Sequence, residues 1–449
     1  MTTLNAADAR GSDYTLVSVL IESDRLNKSV EVKNTVTDID IYEHLDKPYL
    51  TGTLAFLDTT NAYTQMDVLG AESVTIKIRS TREDAVIITK KFIISKVIAA
   101  QKANENSDML VVQMIEDIAF YSNLQNVNRS YTGNALEISQ KIAKNYLNKE
   151  IIVGNRTPKQ AMKLIVPNLN PLESMVWLKN RAKTVEGLPF YLFSSLTSDK
   201  LLMMDLGSLI EEGIINKVPY RYSESAAARS NDPDTKRRII YSYIQKDMED
   251  LYTLIQKGLV GSQNEFIDVL KNKRQSFHFD LMEDLLKPLL DKGIIQKNQP
   301  NVSYSSDYKF NEKSFGQYNS RSISRIGGID PYRVSDDDPF PLAYGESRTL
   351  ADYKLNIMSD AVNKLLKKTP MTINIPGVDF IDGDKHSTVG CMLRLEFPIS
   401  LPNKAPDVSE IDTKKSGDYL VFAARHKFKV DKYDLTLSCL KLANYRAAL

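Results

Sequence analysis

The sequence predicts a mainly β protein built on two related antiparallel barrels, with α+β material inserted between them. Two stretches carry this expectation. Near the start, Gly70 precedes Val74 to Ile78, then Lys91 to Val97, then Met109 to Ile115. Near the end, Gly390 precedes Met392 to Phe397, then Tyr419 to Arg425, then Tyr433 to Leu440. Each trio is a glycine turn followed by three segments whose apolar residues recur at every second position, the period of antiparallel strands over one core. The two trios should therefore match in strand order and direction, with the Gly70 and Gly390 turns equivalent. A sheet written twice in one chain points to a ring-building structural protein.

The remaining elements follow in chain order. Tyr14 to Ile21, Ser29 to Val32 and Val36 to Tyr42 are predicted strands, the last with Asp38, Asp40 and Tyr42 alternating against Ile39 and Ile41. Pro48 interrupts pairing before Thr53 to Asp58 resumes it, because proline lacks the N–H a ladder needs. After Phe120 the period changes. Ala135, Ile138, Ile142 and Tyr146 are spaced for one helical face with Asn134 as its N-cap. Pro171 to Ala182 is a second helix, entered through proline with Glu173 in its first turn. Leu188 to Phe193 and Leu201 to Asp205 form a hairpin packed on those helices.

Ser223 to Lys236 is polar and is taken as a linker. Arg238 to Ile244 is predicted as a strand, Met248 to Gln256 as a short helix, Ser276 to Leu281 as a strand and Leu281 to Asp291 as a helix kinked or ended by Pro288. From Asn298 to Gly345 the chain is rich in tyrosine, serine and asparagine and includes Asp336-Asp337-Asp338. Such a stretch reads as a long functional loop, or one ordered by a partner. Ser347 to Lys368 is a long helix capped by Ser347, and Thr372 to Gly377 returns to strand.

At 449 residues the chain has room for two to four domains. Its net charge of +1 leaves no overall footprint for nucleic acid or an anionic membrane. Cys391 and Cys439 are the chain's 2 cysteines, too few for a zinc cage or disulfide framework, and are expected as small core residues in a reducing compartment. A bridge between them is the minor alternative, since their strands could be neighbours. Met1 to Asp13 is polar without the apolar run of a signal peptide, and no stretch approaches a membrane span. Synthesis in a cytoplasm and a soluble product are the expectation.

Chemistry is sparse. His44, His278, His386 and His426 lie in four separate segments, with no spacing that puts two on one face. His426, beside Arg425, is expected as a solvated strand-end residue rather than a base. Asp382-Gly383-Asp384-Lys385-His386 resembles a calcium loop only until the missing later glutamate is noticed, so a hairpin turn is expected. Asp336 to Asp338 reads as a solvated acidic loop, and Trp177 as core on the Pro171 helix rather than a partner anchor. The common phosphate, dinucleotide and hydrolase signatures are missing. Catalytic, metal and cofactor residues are therefore all predicted as none.

Tyr42 to Gly52, with Gly70 ahead of Val74 to Ile78, resembles the N-terminal segment of baseplate hub proteins from contractile-tail phages of the T-even type. Pro167 to Leu178 followed by Leu188 to Phe193 resembles that family's helix-then-hairpin module. Gly258 to Ser262, Ile373 to Gly377 and Ser416 to Val421 leading into Arg425-His426 extend the likeness across almost the whole chain, whereas Asn298 to Gly345 matches no family pattern. The resemblance implies residues 14–119 as a first tube-like barrel, 120–222 as the helix–hairpin module, and 236–285 with 369–449 as a second tube-like barrel. Residues 286–368 would be an insertion of loop and long helix.

It implies a homotrimer whose six barrels match a six-fold tail tube on one side and a three-fold central spike on the other. Baseplate wedge or other hub proteins would be further partners, the location would be the virion tail baseplate after assembly in the host cytoplasm, and no residue would be catalytic. Type VI secretion spike-base domains are cousins in this scheme. Two other classes are kept: a glycan-binding or adhesive tail protein using Tyr304 to Tyr344, and a hub carrying a cell-wall hydrolase.

Overall fold

The computed structural model describes residues 13–81, 85–105, 107–159, 161–216, 218–222, 237–245, 251–269, 272–292, 309–326, 350–367, 370–381, 387–399, 411–412 and 414–444. The linker from Ser223, the Ser347 cap, Asp336 to Asp338, the Asp382 to His386 turn and most of the Asn298 to Gly345 stretch lie outside the described residues. The protein is mainly β, as its alternating segments predict.

The N-terminal half consists of β1 (Tyr14–Ser23), β2 (Lys28–Glu31), β3 (Val36–His44), β4 (Thr51–Asp58), β5 (Ser73–Ser80), β6 (Ile88–Asn104) and β7 (Ser107–Glu116). They pair in the order β3-β4-β7-β6-β5-β1-β2, antiparallel throughout. Alternation does the work: in β4, Leu54, Phe56 and Asp58 turn inward while Thr53, Ala55 and Leu57 are half-exposed. Val19 of β1 and Ile39 of β3, at opposite sides of this order, share one core with Leu54, Ile76, Phe92 and Val112. A sheet whose distant strands meet over one core must curl onto itself, and each fully buried aliphatic side chain contributes roughly 1.5–3 kcal/mol to holding it closed.

Next comes a small α+β module. β8 (Ser130–Asn134) pairs with β10 (Ala161–Ile165), and β9 (Ile151–Val153) adds parallel to the hairpin of β11 (Phe190–Ser195) and β12 (Ser198–Asp205). The helix Ala135–Ile142 starts at Asn134 with the expected cap: Glu137 N–H donates to Asn134 Oδ1 at 2.9 Å while Asn134 N–H donates back to Glu137 at 3.3 Å. Pro171–Lys179 starts at Asn170, whose side chain accepts the Glu173 N–H at 2.8 Å, with proline in its first turn.

The C-terminal half contains β13 (Tyr220–Tyr222), β14 (Ile239–Ile240), β15 (Ser242–Gln245), β16 (Gly261–Asp268), β17 (Lys273–Asp280), β18 (Lys309–Phe310), β19 (Lys313–Ser314), β20 (Ser322–Ile326), the helix Leu350–Leu366, β21 (Pro370–Pro376), β22 (Met392–Glu396), β23 (Gly417–Lys429) and β24 (Lys432–Asn444). Three expectations change here. The strand predicted from Arg238 to Ile244 is broken at Tyr241, because β14 pairs with β13 whereas β15 pairs with β21. The part of the expected loop from Lys309 to Ile326 is structured, and β20 lies parallel to β16 in a β17-β16-β20 sheet. Pro288 does not end a helix; a wide π turn over Leu281–Leu286, capped by Asp280, leads into Lys287–Asp291 with proline in the first turn of that piece.

The two trios are one structure in one register. β5-β6-β7 and β22-β23-β24 are both meanders. Ser73 faces Ile93 as Met392 faces Leu420, and Ile94 faces Met114 as Val421 faces Cys439. Both middle strands then bulge, at Ser95 and at Phe422, before Lys96 meets Gln113 and Ala423 meets Ser438. Outer neighbours follow suit: Gly52 of β4 faces Met114 as Met371 of β21 faces Cys439, and Asp40 of β3 faces Thr53 as Ile244 of β15 faces Thr372. A one-residue slip would move every buried side chain to the other face, so a shared bulge at the same step is a strong sign of duplication.

The glycine turns differ from the sequence reading by one position. Gly390, at φ +84, donates its N–H to Val421 O at 2.8 Å, and Val421 N–H returns to Cys391 O at 2.9 Å. Ala71, at φ +77, makes the same pair with Ile94 O at 2.9 Å and receives its return at Glu72 O at 2.8 Å. Ala71, not Gly70, is therefore the equivalent of Gly390, and the one-residue offset is invisible in a glycine count.

Candidate functional site

Surfaces and seams, rather than a pocket, concentrate the polar design of this fold. The halves join where β23 runs antiparallel to β3, from Ala423 opposite His44 to Lys429 opposite Asp38. One face of the seam is ionic. Arg425 holds Asp40 with two hydrogen bonds, Nε to Oδ1 at 3.0 Å and Nη2 to Oδ2 at 2.9 Å, and Lys427 Nζ lies 3.6 Å from Asp38. Asp38 and Asp40 on alternate positions of one strand, and Arg425, Lys427 and Lys429 on another, are the signal by which a sequence reading could have matched these two strands.

The opposite face is buried. His426 and Glu43 are both fully enclosed, with Nε2 3.3 Å from Oε1, and His426 Nδ1 is hydrogen-bonded to Tyr433 Oη at 2.7 Å. The imidazole lies nearly parallel to Phe428 and Tyr433, at 6.4 and 6.1 Å between centroids, and those two rings stack on each other at 4.4 Å. Burial, followed by the Glu43 charge, pushes the Tyr433 phenol well up from its ordinary pKa. Glu43 also accepts the Leu196 N–H at 2.5 Å and the Val389 N–H at 3.4 Å, so one carboxylate links both halves and the β11-β12 hairpin. His426 is thus no solvated strand end: β3 covers it, and its role is to fix the seam.

A second buried post stands nearby. Glu116 accepts hydrogen bonds from Leu50 N–H at 2.8 Å, from the Ser194 hydroxyl at 2.8 Å and from Lys90 Nζ at 3.2 Å, while Lys90 reaches Ser198 O at 2.6 Å. It ties the N-terminal strands to the β11-β12 hairpin.

The other candidates do not converge. His44 packs edge-on against Phe422 at 4.6 Å, its pKa lowered chiefly by burial. His278 lies between Asn319 and the Gly316 carbonyl, and His386 is outside the described residues. Cys391 and Cys439 are buried free thiols, both pushed up by desolvation. Trp177 is half-buried with the Arg181 guanidinium 4.0 Å over its ring, on an open groove that also includes Pro48, Tyr49 and Val176. Among the described residues, no group of three or more His, Cys, Asp or Glu side chains gathers in a geometry for a metal ion.

Several strand edges stand open among the described residues, and two of them belong to the repeated strands. β5 covers β6 only as far as Ile93, and no strand lies beside Lys96 to Ala103 on that edge, where Ile98 is 50% exposed. β15 has β21 on one side and no strand on the other, with Ile244 52% exposed. Unpaired edges with apolar side chains invite another chain.

No protein-family model matches the chain, and no curated protein matches it. Among solved structures, the tail protein from Neisseria meningitidis is similar with a TM-score of 0.51 and 12% identity, covering 95% of this chain and 96% of that one. The 43 kDa tail protein of prophage MuSo2 from Shewanella oneidensis gives a TM-score of 0.49 at 9% identity, covering 94% and 98%. The E. coli c3393 protein, a component of the type VI secretion system, gives 0.41 at 10% identity, covering 92% and 76%. The first of these shows the fold alone: this chain is folded like the Neisseria meningitidis protein over almost its whole length.

Proposed function

We propose that this chain is a structural, non-enzymatic virion component: a homotrimeric baseplate hub that adapts a six-fold tail tube to a three-fold central spike in a contractile tail. The internal duplication carries this reading. Each copy presents the same five-strand arrangement twice, β3-β4-β7-β6-β5 and β15-β21-β24-β23-β22, down to a shared bulge. Closed symmetric assembly is the rule for soluble homo-oligomers, and three doubled chains supply a six-fold pattern from a three-fold ring. A tail tube protein would meet that pattern on one face, a central spike protein on the other, and wedge or other hub proteins at the rim.

The test is solution mass by light scattering, alone and with candidate tube and spike partners. A particle of three chains is expected, at high protein concentration or with the partners present. A chain that stays monomeric with both partners at high concentration refutes the proposal.

A further inference from the structure

The seam inside one chain is a template for the contact between chains. β23 bends past its bulge, leaves β22 behind and pairs with β3 through Ala423 to Lys429. β6 does the same thing past its own bulge, leaving β5 behind, and yet among the described residues no strand takes its place on that edge opposite β7. The strand that corresponds to β3 in the other half is β15, and its outer edge is open as well.

We propose that β6 of one copy pairs antiparallel with β15 of a second copy, in the register that β23 and β3 use within the chain. This rests on the ring assembly above and specifies its contact. Registers transfer through the shared partners. Ala99 faces Val111 as Arg425 faces Thr436, Ala100 faces Leu110 as His426 faces Leu435, and Gln101 faces Met109 as Lys427 faces Asp434. Since Lys427 faces Asp40 and His426 faces Ile41, Gln101 lies opposite Ile244 and Ala100 opposite Gln245 of the neighbour. Each copy offers one edge of each kind, so the contact is head-to-tail, and the three-fold rotation proposed above is what closes it into a ring.

The side chains sort the two seams. Within the chain, Arg425 and Lys427 meet Asp40 and Asp38; between copies, Ala99 and Gln101 meet Ile244 and Ser242, with no charge on either side. Neutral side chains match at these four places, whereas β6 laid on the β3 edge of another copy would set Ala99 and Gln101 where Arg425 and Lys427 hold Asp40 and Asp38, leaving those two aspartates without their cations. The exposed Ile98 is the extra residue of a second bulge, between Val97 and Ala99.

The test is cysteine cross-linking of the full chain. Gln101 and Ile244 are both exposed, so Gln101→Cys with Ile244→Cys should fold normally. Under mild oxidation it should give disulfide-linked dimers and trimers on a denaturing gel, at least about five-fold more than the shifted pair Lys96→Cys with Ile244→Cys, whose exposed Lys96 lies four ladder places from Gln101, and each single variant should stop at background. Particles that scatter as trimers but give no such cross-link, or favour the shifted pair, overturn this contact while leaving the ring standing. Monomers under every condition overturn both.

Discussion

Arg425 and Asp40, 385 positions apart, close the seam between the two halves with a bidentate ion pair of 3.0 and 2.9 Å. The geometry is the strong kind, because the planar guanidinium fork matches both carboxylate oxygens. The acid is almost buried, at 8% exposure, and Arg425 covers it from the half-solvated side.

Asp40→Asn should therefore lower the urea midpoint by an amount corresponding to about 1–2 kcal/mol, with partial solvation of the arginine holding it below the value for a fully buried pair. A loss within about 0.3 kcal/mol would show that the strand ladder alone holds the seam.

Glu43 is the costlier loss. Glu43→Ala strips acceptors from the Leu196 and Val389 N–H groups and the carboxylate from His426, all buried. About 3–5 kcal/mol of destabilisation is expected by chemical denaturation. His426→Asn should cost roughly 1–3 kcal/mol, whereas His44→Gln should cost less than about 1 kcal/mol. Equal effects of the two histidine variants would contradict the placement of His426 in the seam.

Lys183 gives a pH signature. It is buried beside the last turn of Pro171–Lys179, donating to Asn180 O at 2.6 Å and Ala182 O at 3.2 Å, and desolvation depresses its pKa to about 8 against the pull of Asp360. Lys441 is depressed to about 8 by the same cause. A lysine whose folded pKa is lowered binds fewer protons folded than unfolded between the two pKa values, so stability rises with pH from about 8 upward. Tyr14, raised to about 12 by burial, and the raised thiols of Cys391 and Cys439 act oppositely, above unfolded values near 10 and about 8.5, so the Lys183 contribution is read as the difference between the parent chain and its variant over pH 8 to 9.5. Lys183→Met should flatten the gain across that window by about 1 kcal/mol, measured by urea melts at each pH. An unchanged slope would show that Lys183 titrates normally.

The turn equivalence yields opposite outcomes at matched sites. Ala71→Gly removes a left-handed strain and should raise stability by about 0.5 kcal/mol after its entropic cost. Gly390→Ala adds a Cβ at φ +84 that would lie 3.2 Å from Leu209, 3.3 Å from Phe193 and 3.4 Å from Leu45, and should cost more than about 1 kcal/mol. Thermal melts of the two variants should shift in opposite directions; a destabilising Ala71→Gly would break the proposed alignment.

What the sequence determined was whatever depends on near neighbours. Alternation marked β4 and the two trios, and Asn134 and Pro171 with Glu173 marked helix starts, because capping and side-chain period act within a few residues. Even the duplication was legible as repeated order. The tertiary structure decided what each strand pairs with. β16 is polar at Ser262, Gln263, Asn264 and Glu265, so its strand character waits for β17 and for β20 arriving parallel from far along the chain. Arg238 to Ile244 reads as one strand and divides at Tyr241 because its two ends have different partners. His426 is polar by type and buried by position, since Glu43 of β3, nearly the whole chain away, joins Tyr433 of β24 in enclosing it. A side-chain period states which face of a strand turns inward, but the hydrogen bonds at its edges are satisfied by whichever backbone the closed topology delivers there.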